Sequence, residues 1–168
     1  IKKTWTIGDT LSASIGQSYN TFTPIQMCSY IATLANKGIR NKVTIIKNVI
    51  DAEGNILDSS EVKKIANEKL GLTETELENV QINNETLNAI YEGMRSVTGD
   101  SGGTAYGTFS SFPIEVAGKT GTATAGSGSD NAWFVGFAPY DDPEIAVVSI
   151  IEHGGHGYYT APAVKDIM

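Results

Sequence analysis

The residues best suited to chemistry lie at positions 114–124, where the chain reads IEVAGKTGTAT. A β-favouring start runs into small residues around one lysine, Lys119, and a glycine on either side of the Lys-Thr pair would let a ligand backbone lie alongside. In a strand, alternation puts Lys119 on one face and Thr120 and Thr122 on the other, while the backbone N–H groups point along the sheet plane. At a sheet edge this pattern favours an anionic, peptide-like ligand; a solvated edge strand is the alternative.

Composition and charge exclude several classes of protein. The chain has 168 residues, 40% of them hydrophobic, and a net charge of −7, which predicts one ordinary domain with a buried core. It has no cluster of basic residues, which argues against nucleic acid as a partner. The longest apolar stretch, residues 145–151, is far shorter than the roughly 20 residues that span a bilayer. The single cysteine, Cys28, cannot form an internal disulfide and is expected to be a small core residue.

The rest of the chain predicts the elements that would position this stretch. Thr23 and Pro24 are typical of a helix start, and apolar residues then recur at helical spacing from Ile25 to Ala35. Strands are predicted at 113–124, 131–138 and 144–152. The other predicted elements are a loop over residues 5–18, a hairpin over 43–57, a polar segment over 59–82 that could be a short surface helix or a mobile excursion, an amphipathic helix over 85–97 capped by Asn84, a glycine-rich loop over 99–107 and a closing helix that includes Ala161.

Three segments together resemble a known family. They are the Lys-Thr-Gly strand at 119–121, the Trp-Phe strand at 131–139, and the run from Gly16-Gln17 through the Thr-Pro helix to Gly38. All three resemble the class B penicillin-binding transpeptidases, and Lys-Thr-Gly is among the signature motifs of penicillin-binding proteins. The resemblance implies an α+β fold of the penicillin-binding and β-lactamase type, present here incompletely as three core strands of an antiparallel sheet with flanking helices. Residues 1–168 would then be the C-terminal portion of one transpeptidase domain.

The resemblance also implies a reaction and a set of site residues. Members of the family are serine D,D-transpeptidases that cross-link peptidoglycan stem peptides ending in D-Ala-D-Ala and are acylated by β-lactams. Lys119 would be the catalytic residue that supplies positive charge, and Thr120, Gly121 and Thr122 would bind substrate, with the N–H of Thr122 as an oxyanion donor. No metal or organic cofactor is implied. The implied location is the extracytoplasmic face of the bacterial cell membrane, with an N-terminal anchor outside this chain.

The nucleophile of such an enzyme is expected to lie upstream of Ile1, as part of the other half of the same domain. Three stretches mimic the family's remaining motifs: Ser60 to Lys63 fits Ser-x-x-Lys, and Ser129 to Asn131 and Ser18 to Asn20 both fit Ser-x-Asn. The family places both motifs before the Lys-Thr-Gly strand, whereas Ser129 follows Lys119. Ser60 sits in a polar segment instead of at the start of an apolar helix. Ser18 to Asn20 has the right order but occupies the loop before the Thr-Pro helix, where the family has no catalytic group. All three matches are therefore interpreted as chance.

Two other functions remain as alternatives on the sequence alone. The first is a non-catalytic penicillin-binding sensor module, which keeps the pocket and signals by binding. The second is a hydrolase that uses Ser101 within Gly-Asp-Ser-Gly-Gly, although an amphipathic helix precedes that serine where a strand is needed. His153 and His156 could suggest a metal site, but two ligands are too few for a tetrahedral set, and a solvated loop is favoured.

The missing half of the domain also predicts self-association of this chain. In the family, the strand equivalent to 144–152 lies inside the sheet, beside strands that this sequence lacks. That strand would therefore be an unpaired apolar edge here, which is a template for another chain. The groove left by the absent helix would expose further apolar surface.

Overall fold

The computed structural model describes residues 4–41, 43, 48–70 and 79–168. Three strands form one antiparallel sheet in the order β1-β2-β3, with β1 and β3 at its two edges. The fold class predicted from the sequence is confirmed. The elements in chain order are α1 (Ile7–Ser14), α2 (Pro24–Ala35), α3 (Ser59–Leu70), α4 (Asn84–Gly99), α5 (Tyr106–Phe109), β1 (Ala117–Ala123), β2 (Asn131–Ala138), β3 (Ile145–Ile151), a 3₁₀ helix (Gly157–Thr160) and α6 (Ala161–Lys165).

Helices α2 and α4 cover one face of the sheet. The side chains of Ile31, Leu34 and Ala35 from α2 share a buried cluster with Leu87 and Met94 from α4 and with sheet residues of β1 and β2. Tyr91 of α4 donates its hydroxyl proton towards the last carbonyls of α2, and its partial burial raises the pKa of that hydroxyl. The predicted apolar stripe of α2 is only partly correct, since Ile25 is 52% exposed.

The opposite face of the sheet has its own core. Phe134 and Val147 pack there with Phe109 of α5 and with Ala161 and Val164 of α6. Phe134 is fully buried, and its ring stacks on that of Phe109 with centroids 5.5 Å apart. This packing fixes the position of the central strand β2, against which β1 is aligned.

The predicted loop over residues 5–18 is wrong, because residues 7–14 form helix α1. Thr6 is its N-cap, and its hydroxyl accepts the N–H of Asp9 while the Asp9 carboxylate accepts the N–H of Thr6. This reciprocal capping box starts a helix despite the glycine at position 8. The apolar side chains at its two ends do not pack: Ile7 is 82% accessible, and Ile15, at the C-cap, is 77% accessible.

Strand β1 begins at Ala117, four residues later than predicted. The carbonyls before it bond outside the sheet: that of Glu115 accepts the N–H of Tyr140 (2.8 Å), and that of Val116 accepts the hydroxyl of Thr98. The Glu115 carboxylate is paired with Arg95 of α4. These contacts anchor residues 115 and 116 to α4 and to Tyr140, so β1 enters the sheet at a fixed position.

Helix α4 and strands β2 and β3 lie where they were predicted, with shifts of at most two residues. Helix α4 is capped by Asn83, one residue before the predicted cap. The hairpin reduces to one antiparallel bridge between Ile50 and Ile56, and residues 44–47 of its first strand lie outside the described ones. A surface helix, α3, does follow Asp58. None of the helices within the described ranges is both long and apolar enough to cross a membrane.

Candidate active site on the edge strand

Strand β1 presents its residues at an edge of the sheet, as the sequence predicted. Lys119 lies opposite Val135 of β2, on the face that α2 and α4 cover further along, and its side chain is exposed. Its Nζ donates to the backbone carbonyl of Thr120 at 2.6 Å. The ammonium group is therefore held close to the strand edge, where a negatively charged ligand would meet it.

The two threonines point to the other face, where each hydroxyl has a protein partner. The Oγ1 of Thr120 lies 2.7 Å from the Oγ1 of Thr104, and the Oγ1 of Thr122 accepts the backbone N–H of Gly157 at 3.1 Å. Because Thr122 accepts from Gly157, its own hydroxyl proton remains available to a ligand. The hydroxyls are thus oriented by residues of two other segments.

Glycine is required where backbones or rings approach β1. A Cβ at Gly157 would overlap the backbone of Gly121, and a Cβ at Gly118 would overlap the ring of Phe134. The 3₁₀ helix and the core of the sheet can therefore touch the strand directly. Gly121, predicted to bind substrate, is thereby the residue at which the 3₁₀ helix contacts the site.

A groove of about 480 Å³ lies beside β1 on the lysine face. One wall is β1 itself with the apolar side chains of Trp133 and Val135, and the other is the segment that follows α1. The groove is mostly apolar, so the charge and the hydrogen-bonding groups concentrate at the edge of β1. Its lining residues from the facing segment and α2 are Ile15, Gly16, Gln17, Asn20, Phe22 and Met27.

Sequence reasoning missed the contacts that Thr104, Gly157 and Gln17 make with the site. The side chain of Gln17 donates from Nε2 to the carbonyl of Thr122 at 3.4 Å. Gln17 and Thr104 lie in segments that resemble the family, but no spacing rule connects residues 105 or 16 positions apart in the chain. Only the folded structure brings them to β1.

The serine and histidine motifs that were considered as alternative sites do not lie on β1. Ser101 is in a turn after α4, and the hydroxyl of Ser60 is bonded to the carboxylate of Asp58. The carbonyl of Ser129 contacts Nδ1 of His153 at 2.9 Å, which joins the loops at one end of β2 and β3. Within the described ranges, no three His, Cys, Asp or Glu side chains gather as a metal site.

Aromatic rings of the 3₁₀ helix and of the residue before it cluster on the surface. His156 stacks on Tyr158 with centroids 5.6 Å apart, and Tyr158 contacts Tyr159 at 4.5 Å. The hydrogen bond with Tyr159 raises the pKa of Tyr158. His156 therefore belongs to a surface aromatic cluster. His156 and Tyr158 flank Gly157, the residue whose N–H bonds Thr122.

Comparison with known protein families identifies the family of the chain. The sequence model of the penicillin binding protein transpeptidase domain matches residues 1–168. The chain belongs to the penicillin-binding protein transpeptidase family. The family resemblance drawn from the Lys-Thr-Gly strand and its neighbours is therefore confirmed.

Individual relatives in this family resemble the chain over nearly all of its length. It is 32% identical over 187 residues to the peptidoglycan D,D-transpeptidase MrdA of Haemophilus influenzae, an alignment that covers 99% of this chain and 26% of that protein. Its fold matches PBP2 of Pseudomonas aeruginosa with a TM-score of 0.76 and 32% identity, over 99% of this chain and 34% of that one. The match to penicillin-binding protein 2B of Streptococcus pneumoniae has a TM-score of 0.71 at 26% identity, over 99% of this chain and 27% of that one. The chain therefore spans about a quarter to a third of these relatives.

Proposed function

We propose that this chain is the C-terminal portion of a serine D,D-transpeptidase domain and forms the Lys-Thr-Gly side of its active site. The observation that supports the proposal is the arrangement of β1. A lysine and two hydroxyls flank an exposed strand edge in a chain of the transpeptidase family. The nucleophilic serine and its lysine lie in the other portion of the same domain.

The reaction proceeds in two steps at this edge. In the first, the serine oxygen bonds to the carbonyl carbon of the penultimate D-alanine of a stem peptide, the C–N bond to the last D-alanine breaks, and the serine proton leaves with that amine. In the second, an amine from another stem takes the acyl group and the serine regains a proton. The product is a peptide cross-link. A β-lactam acylates the same serine but stays attached, because its leaving group remains tethered.

The residues of this chain bind and stabilise the acyl donor. The Lys119 ammonium and the hydroxyls of Thr120 and Thr122 hold the terminal carboxylate, and the N–H of Thr122 donates to the oxyanion. Thr104 and Gly157 engage the threonine hydroxyls, so fewer rotamers have to be ordered when the substrate arrives. The donor aligns along β1 as an added strand, which supplies main-chain hydrogen bonds. The site works at the outer face of the bacterial membrane, where stem peptides are cross-linked.

This chain on its own is expected to form no covalent adduct with a fluorescent penicillin, because the nucleophile lies outside it. Intact-mass spectrometry after prolonged incubation should show only the unmodified mass, and Ser101→Ala should behave identically. The full-length protein, treated in parallel, should gain one penicilloyl group and turn over a stem-peptide thioester. A stoichiometric adduct on a serine of this chain would contradict the division of the site, and labelling without turnover by the full-length protein would favour a sensor.

Self-association of this chain through the outer edge of β3 is a second proposal. In the part of the chain that the structure describes, no strand pairs with that edge, and Ile145 and Ile151 at its ends are exposed. Light scattering is expected to give a mass above that of a monomer at high micromolar concentration. Ile151→Lys should reduce that mass by charging the edge, whereas Ile56→Lys, on the distant bridge, should not. A monomer whose β3 amides exchange no faster than those of β2 would contradict this proposal.

A further inference from the structure

The carboxamide of Gln17 occupies the open edge of the site strand. Its Nε2 donates to the carbonyl of Thr122 at 3.4 Å and comes from the segment after α1, outside the sheet. In a strand, the N–H and C=O of one residue point to the same side. Because Gln17 reaches the carbonyl of Thr122 from outside the sheet, that carbonyl and the N–H of the same residue point away from β2, to the open side of β1 from which a bound peptide would approach.

The backbone on either side of Gln17 is fixed by hydrogen bonds to the end of helix α1. Helix α1 ends in a Schellman motif, in which the N–H of Gly16 bonds the carbonyl of Ala13 and the N–H of Gln17 bonds that of Ser12, both at 3.0 Å. Gly16 has a φ of 81°, which suits glycine, and Ser18 has a φ of 66°, which is uncommon for a residue with a side chain. Gln17 thus lies between two left-handed residues.

A side chain from the following loop reinforces this geometry. The Nδ2 of Asn20 donates to the carbonyl of Ala13 at 2.9 Å, so the same helix end holds the chain on both sides of Ser18. Backbone strain that surrounding contacts maintain is typical of functional positions. The left-handed Ser18 and the three hydrogen bonds to the end of α1 therefore indicate that the position of Gln17 is important for function.

We propose that Gln17 is a specificity residue that reads the main-chain N–H of the acyl-donor residue. The inference rests on the proposed function, in which the donor's reacting carbonyl accepts the N–H of Thr122. A donor residue that accepts the N–H of Thr122 forms a hydrogen-bonded pair with it, and such a pair exchanges both bonds, so the donor's own N–H is directed to the carbonyl of Thr122. That carbonyl is where Gln17 sits.

Both groups can be accommodated at this point. A carbonyl oxygen has two lone pairs, so Thr122 can accept from Gln17 and from the donor together. The Oε1 of Gln17 has no hydrogen-bond partner in the described part of the chain, and it offers the incoming N–H a second acceptor. The donor is thereby recognised as a peptide with an N–H at the acyl residue, whereas an acyl group with an ester oxygen there lacks the group that is read.

The test is a double-mutant-type cycle in the full-length protein. It combines substitution of Gln17 with removal of the N–H of the acyl donor. Two thioester acyl donors are compared: one has a D-alanine as the acyl residue, and in the other its N–H is replaced by an ester oxygen. The ratio of their kcat/KM values is measured for the unaltered protein, Gln17→Ala and Gln17→Glu. Glutamate keeps the size and an acceptor oxygen but removes the Nε2 donor that anchors the side chain to Thr122. Gln81→Ala, an exposed glutamine outside the groove, is the matched control.

Gln17→Ala is expected to lower kcat/KM for the N–H donor about fivefold to tenfold, as expected for loss of one hydrogen bond, and to leave the ester donor nearly unchanged. Gln17→Glu should behave like the alanine variant, and Gln81→Ala like the unaltered protein. An equal fall for both donors, or no fall for either, overturns the inference. Lys119→Ala is measured in parallel: if it acylates normally, the proposed function fails, whereas a slow Lys119→Ala with an uncoupled Gln17 overturns only the role of Gln17.

Discussion

Lys119→Ala in the full-length protein is expected to slow acylation by a β-lactam by about a hundredfold or more, because a positioned donor at a reacting oxyanion or carboxylate contributes that much. The side chain of Lys119 is exposed, and among the residues that the structure describes its one hydrogen bond is to the neighbouring carbonyl of Thr120. Its removal leaves the pairing of β1 with β2 intact. The rate constant for acylation is measured by stopped-flow fluorescence with a fluorescent penicillin.

The fold of this variant is checked separately from its rate. The thermal midpoint and the far-ultraviolet circular dichroism are expected to match those of the unaltered protein. Lys64→Ala, an exposed lysine on α3, is the matched control and should acylate normally. Unchanged acylation of Lys119→Ala would show that this lysine does not contribute to the site. A slower rate counts as a catalytic loss only if the thermal midpoint and the circular dichroism are unchanged.

Phe134→Ala is expected to lower the free energy of unfolding of this chain by about 3–5 kcal/mol, as large-to-small core substitutions of phenylalanine do. Phe134 is fully buried in the middle of β2, stacks on Phe109 and lies under Gly118 of the site strand. The cavity would therefore open between the core and the strand that carries Lys119. Urea unfolding followed by tryptophan fluorescence gives the change.

This loss is a large fraction of the stability of an ordinary domain, so the alanine variant can fail to fold. Phe134→Leu keeps most of the volume and should remain folded with a smaller loss. Phe22→Ala removes the same side chain at a position that is 57% exposed, and it should change the free energy of unfolding by no more than about 0.5 kcal/mol. If Phe134→Ala and Phe22→Ala were equally stable, the ring of Phe134 would not be a core group.

The strands and the two main helices could be predicted because their signals are local. Strand β2 has the boundaries that alternation indicates, and helix α2 begins at Pro24, as the Thr-Pro start indicates, and ends at Ala35, ahead of the stop predicted at Gly38. Helix α1 was missed because its stability depends on the capping box between Thr6 and Asp9 and not on an apolar stripe that packs. The first residues of the predicted β1 strand, 113–116, were assigned incorrectly, because their carbonyls bond to Thr98 and Tyr140 from distant segments.

The sequence by itself determined the chemistry of the site strand and its division between two faces. Strand alternation has a period of two, so the order Lys119-Thr120-Gly121-Thr122 is enough to separate the lysine from both hydroxyls. Only the tertiary structure decided what touches that strand: Gly157 and Thr104 at the hydroxyls, and Gln17 at the outer carbonyl of Thr122. Such contacts join residues 16 to 105 positions apart, and they depend on how helices and loops pack on the sheet, which no local spacing specifies.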